Sequence, residues 1–216
     1  MNEKIKNTVD ALERNNMKAF YAETIEEAAK IALGLVNDGD TISHGGSVTL
    51  SQLGLIDEFK SGRYNYLDRS KPGLSPENVM EIYRKTFSAD AYFTSSNAVT
   101  VNGELYNVDG NSNRVAAMLF GPKKVIVIVG VNKIVDNILE AAERVKKYAA
   151  PPNCVRLNKE TYCASKGKCV TADDENAYFC DGCTSPDRIC RNYTVMSAQR
   201  TKDRGNVIIV SENLGY

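Results

Sequence analysis

Tryptophan is absent from the 216-residue sequence, histidine occurs once, and the first 153 residues hold no cysteine. Neither charge is in surplus. The 27 Lys and Arg balance the 27 Asp and Glu, so no basic field draws nucleic acid or an anionic membrane surface. No apolar run approaches the roughly 18 residues of a membrane span. The longest, Val125 to Val131, suits a buried strand. Met1-Asn2-Glu3-Lys4 starts no secretory signal, which predicts a cytoplasmic protein. What is present is ordinary: 43% apolar and 25% charged residues, at a length that favours a single α/β domain over residues 1–216.

Residues 1–150 alternate helical and strand patterns. Ile5, Val9 and Leu12 recur at helical spacing before a short strand, Met17 to Tyr21. Thr24 and Glu27 form a capping-box pattern for a helix to about Val36. Thr41-Ile42-Ser43 reads as a strand, followed by the turn Gly45-Gly46-Ser47 and a helix from Val48 to about Phe59. Tyr64 to Leu67 is a further strand. Ser75-Pro76-Glu77 starts a helix that ends near Phe87, and Ala89 to Phe93 is the next strand. Asn102-Gly103, between Val99-Thr100-Val101 and Glu104-Leu105-Tyr106, predicts a hairpin with a type I′ turn. A small helix at Asn113 to Leu119 precedes Lys124 to Val129, a β-branched run typical of a central parallel strand. Asp136 to Tyr148 reads as a helix stopped by Pro151-Pro152, and Asn206 to Val210 as a last buried strand. The alternation predicts a mostly parallel, doubly wound sheet with an inserted hairpin. A cysteine-rich insertion at about 153–192 would interrupt it before the last strand.

Three polar loops belong at one sheet edge. In Ser43-His44-Gly45-Gly46-Ser47-Val48-Thr49, a strand runs into a helix, so free backbone N–H groups and the Ser47 and Thr49 hydroxyls can cradle a phosphate or carboxylate. The spacing matches neither the dinucleotide fingerprint nor the P-loop; a plain strand–helix turn capped by Ser47 reads equally simply. His44 is the candidate general base, or merely a polar strand-end residue. Thr94-Ser95-Ser96-Asn97 follows another strand. In Asp109-Gly110-Asn111-Ser112-Asn113-Arg114, the arginine can hold an anion bidentately, while Asp109 and Asn113 also suit turns and caps. The expected pocket is therefore formed by Gly45, Gly46, Ser47, Thr49, Thr94, Ser95, Asn97, Asp109, Asn113 and Arg114.

All six cysteines, Cys154, Cys163, Cys169, Cys180, Cys183 and Cys190, lie in one segment. Clustered cysteines in a cytosolic chain point to metal or redox chemistry, with disulfides or free thiols as alternatives. Cys180-Asp181-Gly182-Cys183 presents two sulfurs across a tight turn. With one distant histidine, a zinc site would be all-thiolate, and an iron–sulfur cluster uses the same ligands.

Asp40-Thr41-Ile42-Ser43-His44-Gly45-Gly46-Ser47-Val48-Thr49-Leu50, Ala89-Asp90-Ala91-Tyr92-Phe93-Thr94, Asn113-Arg114, Pro122 to Val129 and Val207 to Tyr216 together resemble the LUD (lactate-utilisation) domain family. The order and spacing of these segments carry the resemblance, outside the cysteine segment. It implies a Rossmann-like three-layer α/β sandwich of the NagB/RpiA/CoA-transferase-like type. It also implies oxidation of L-lactate or a related hydroxy acid to the keto acid, beside iron–sulfur partner subunits. A small anionic substrate is expected, with no nucleic acid or membrane partner, and a homo-oligomer is compatible. Two departures mark a cysteine-rich subgroup: Thr94-Ser95-Ser96-Asn97 replaces the usual small Thr-Gly stretch, and many members lack the cysteine segment. A CoA-transferase-like or sugar-phosphate isomerase-like enzyme, or a non-catalytic metal-binding subunit, are the alternatives.

Overall fold

The computed structural model describes residues 1–216. Helix α1 (Glu3–Arg14) starts where the Asn2 side chain accepts the Ile5 N–H, and α2 (Ile25–Leu33) where Thr24 accepts that of Glu27. Between them lies β1 (Lys18–Ala22). Then come β2 (Thr41–His44), α3 (Val48–Gln52), α4 (Leu55–Phe59), β3 (Asn65–Tyr66), α5 (Pro76–Thr86) and β4 (Ala91–Thr94). The hairpin strands are β5 (Ala98–Thr100) and β6 (Leu105–Asp109), followed by α6 (Asn113–Leu119), β7 (Lys124–Gly130) and β8 (Ile134–Val135). The chain continues through α7 (Ile138–Arg144), α8 (Ala150–Arg156), α9 (Tyr162–Lys166), β9 (Asn192–Met196) and β10 (Gly205–Val210). No helix is long and apolar enough to cross a membrane.

Six parallel strands form the main sheet in the order β1-β10-β7-β4-β2-β3. Strands β7 and β10 are apolar on both faces because helices cover both. Val125, Val127, Val129, Val207 and Ile209 pack with Ile5, Leu12, Ala117 and Met118 of α1 and α6. Ile126, Ile128, Ile208 and Val210 pack with Ala28, Ala32, Leu50 and Phe59 of α2, α3 and α4. Strict alternation along the two central strands thus makes a three-layer sandwich, as expected from the sequence.

Several local expectations change. The helix expected over 48–59 is two short helices, because Gly54 takes φ +69° and turns the chain between them. Pro151-Pro152 does not stop the preceding helix. The chain widens into a π-turn at Val145–Ala149 and continues as α8, with the prolines in its first turn, where their missing N–H groups cost little. At the hairpin tip only Gly103 has positive φ, +82°, so the turn is not type I′. Gly103 N–H instead donates to Thr100 O and Thr100 N–H to Glu104 O, a type I turn closed by a glycine bulge. The hairpin is also not a lone insert: β5 pairs with β8 and β6 with β9, giving a second sheet, β8-β5-β6-β9. Cys154 lies within α8, so irregular chain occupies only 157–191, apart from α9.

Candidate functional site

Strands β2, β4, β7 and β10 all end at the same sheet edge, where the parallel arrangement gathers the loops after them. The glycine turn after β2 is tight for an internal reason. A Cβ on Gly45 would lie 3.0 Å from Arg114 Cδ and from the Tyr92 hydroxyl, and one on Gly46 would lie 2.8 Å from an Arg69 nitrogen. The absent side chains make room for two arginines rather than directly for a ligand.

Arg114 is fully engaged. Its guanidinium pairs with Asp109 at 2.7 Å and donates to Ser95 O at 3.0 Å, Asn97 Oδ1 at 3.0 Å, Val108 O at 3.1 Å and Asn107 Oδ1. Asn97 Oδ1 also accepts the Val108 N–H at 2.9 Å, which ties the loop after β4 to the end of β6. Arg114 thus lines the site while its donors fix the two loops in place.

Lys133, which is not among the residues expected at this edge, is a buried cation with no carboxylate partner. It sits in the turn after β7, 4% exposed, and its ammonium donates to Ser95 Oγ at 3.0 Å and Thr49 Oγ1 at 3.1 Å. An ammonium has three donors, so one remains. Burial, with Arg144 and Arg114 nearby, lowers its pKa from 10.5 to about 7. Arg144 is likewise buried and donates only to backbone, to Asn97 O at 2.8 Å and Asn132 O at 3.0 Å. Burial pulls it down to about 10. The signal in the sequence was the polar pair Asn132-Lys133 just beyond a central strand.

Lys133, Ser47, Thr49, Ser95, Asn97 and Arg114 line a cavity of about 60 Å³, with Gly215 and Tyr216 also on its wall. In this measure a water needs roughly 10–15 Å³, so a small organic acid fits. Residues 211–216 cross the end of β7: Val131 N–H donates to Glu212 O, and Leu214 N–H to Asn132 Oδ1 at 3.0 Å. Gly215 stands where a Cβ would lie 2.7 Å from Thr49 Oγ1 and 3.1 Å from Lys133 Nζ.

A larger open cleft of about 470 Å³ shares Asn97, Arg114, Asn153 and Arg156 with this cavity. Asp109, Asn113 and Gly46 lie there, with Arg69, Arg188 and Arg191. The other expected residues stand apart. Thr94 is buried with its hydroxyl on Ser95 O. His44 lines neither space. Its ring stacks on Tyr66 at 5.8 Å, Nδ1 meets Gly45 O at 2.7 Å, and Nε2 is buried without a partner. Burial lowers its pKa, so the ring is neutral at pH 7. The position intended for a general base is therefore turned into an aromatic cluster with Phe59 and Tyr66.

Five cysteines meet elsewhere. Cys154, Cys163, Cys169, Cys183 and Cys190 line one small apolar cavity, whereas Cys180 is exposed and outside its lining. The Cys154 and Cys163 sulfurs lie 3.6 Å apart, and none of the six is in a disulfide. Burial pushes the Cys190 thiol up to about 12.

A structure of a DUF162 family protein from Deinococcus radiodurans is similar over 97% of both chains, with a TM-score of 0.54 and 17% identity. Ribose 5-phosphate isomerase A from Methanocaldococcus jannaschii is similar over 62% of each chain, at TM-score 0.35 and 18% identity. The translation initiation factor eIF-2B of Pyrococcus horikoshii OT3 covers 51% of this chain and 46% of its own, at TM-score 0.35 and 17% identity. No curated protein matches the sequence. The LUD domain model matches residues 5–210, which takes in every strand of both sheets, and the chain belongs to the LUD domain family.

Proposed function

We propose that this LUD protein binds a small 2-hydroxy or 2-keto carboxylate in the cavity at Lys133 and takes part in oxidation of L-lactate, or a related acid, to the keto acid. Membership of the family supports a role related to lactate utilisation. The observation that carries the finer reading is a buried ammonium held only by two hydroxyls, beside Arg114, which pairs with Asp109, and the buried Arg144, which has no carboxylate partner. Buried charge is costly unless paired, and a bound carboxylate supplies the missing counter-ion. Lys133 would take the carboxylate, and the Ser95 and Thr49 hydroxyls the neighbouring oxygen. Conversion of lactate to pyruvate releases two electrons and two protons, and the electrons would pass to iron–sulfur partner subunits.

Calorimetric titration of L-lactate and pyruvate into the chain tests this. Lys133→Met should weaken binding by about 10- to 100-fold, the worth of a charged hydrogen bond. It should keep the fold, because an apolar replacement removes a buried charge. Equal affinity in the variant would sink the reading. The wider cleft favours a second reading, since Arg69, Arg156 and Arg191 face it without an ion pair. A sugar-phosphate isomerase-like or CoA-transferase-like ligand would bind there through phosphate, with Lys133→Met leaving its affinity unchanged.

A further inference from the structure

Residues 157–191 have almost no apolar core of their own. Only Thr161 and Cys163 among them are buried, α9 is their one regular element, and Tyr178, Phe179 and Val170 are exposed. A segment that buries so little cannot offset the entropy of ordering its backbone and needs a staple. What it brings to the rest of the protein is sulfur. Cys163 on α9, Cys169 after it, and Cys183 and Cys190 from the loop meet Cys154 of α8 around a cavity of about 30 Å³. Tyr106 of β6, Tyr193 of β9 and the half-exposed Phe179 give it mostly apolar walls, with Lys146, Asp181 and Arg188 also in the lining.

We propose that Cys154, Cys163, Cys190 and one of Cys169 and Cys183 supply the four thiolates of a metal centre that fastens residues 157–191 to α8 and the second sheet, with Cys180 outside the ligand set. Sulfurs on one tetrahedral zinc, about 2.3 Å from the metal, stand about 3.8 Å from each other. The 3.6 Å Cys154–Cys163 separation fits such an edge. Two thiolates on one iron of a small cluster have similar spacing. No three ligating side chains converge on one point, so a metal centre here requires the loop thiols to close on the Cys154–Cys163 pair as metal binds, as in other sites where binding and folding are coupled. The centre needs nothing from the carboxylate site, so either can fail alone.

The test is metal, iron and acid-labile sulfide analysis of the full chain purified without oxygen. Stoichiometric zinc supports a staple, and iron with sulfide supports a cluster; either bears out the proposal. Cys180→Ser should retain the metal, and Cys163→Ser and Cys190→Ser should lose it. The opposite pattern overturns the ligand set. Should those variants not fold, cobalt(II) titrated into the chelated wild-type chain reads the same question. Thiolate-to-cobalt absorption should appear and saturate. Affinity should fall about 100-fold or more in Cys154→Ser, beyond the loss from an outer-shell change. A metal-free protein with no such absorption, or one with Cys154 and Cys163 joined as a disulfide, overturns the proposal.

Discussion

Lys133 is poised by burial rather than by a neighbouring acid, and this gives its site a pH dependence of known sign. Its pKa falls from 10.5 to about 7, chiefly because its charged form is desolvated. Between those values the unfolded chain holds a proton that the folded chain has lost, so stability of the unliganded protein rises with pH across that window. A bound carboxylate favours the charged form. Affinity for lactate should therefore fall by about tenfold per pH unit above about 7. Calorimetry in buffers of different ionisation enthalpy should register proton uptake on binding at pH 8, and uptake of no proton would exclude Lys133 as the anion's partner. For single residues, the sequence is informative about which loops meet at the cavity and silent about the contacts within them. Ser47, Thr49, Ser95, Asn97 and Arg114 do line the cavity. A string of letters, however, does not show that Asp109, Asn97 and Ser95 O use up the Arg114 donors, or that His44 turns toward Tyr66.

Elements follow local chemistry wherever a cap or turn residue is decisive. Asn2, Thr24 and Ser75 begin helices as their side chains dictate. Departures occur where a distant part of the chain takes over. The hairpin tip is one. Gly103 abuts the end of α1, where a Cβ would lie 2.8 Å from Ala11 C and Leu12 N, and Asn15 Nδ2 donates to Asn102 O at 2.8 Å. That docking, with φ +82°, fixes the turn. Gly103→Ala meets both backbone strain and a backbone clash, and should cost about 1–3 kcal/mol. Thermal unfolding reads this as a lowered Tm; an unchanged Tm would show that the tip is not docked. The prolines of α8 tell the same story, since the π-turn before them is held by α7 and α8 packing against the second sheet.

Across the whole molecule, the order of strands governs robustness. β10 lies between β1 and β7 and is buried along its length, although residues 157–191 separate it from the chain before it. Protease cleavage within the exposed stretch 174–181 should therefore give two fragments that stay together on native size-exclusion chromatography. Fragments that separate under native conditions would contradict the central place of β10. The α/β class, the apolar runs that become β7 and β10, the polar loops at strand ends and the concentration of sulfur are all legible in the order of residues alone. These are local properties of pattern and composition, legible because a strand buried on both faces must be apolar throughout. Folding in three dimensions is what joins β9 to the hairpin, gathers five thiols without Cys180 around one cavity and leaves Lys133 a buried cation without a carboxylate. Those facts depend on which residues lose water beside which others, and contacts between residues far apart along the chain set that.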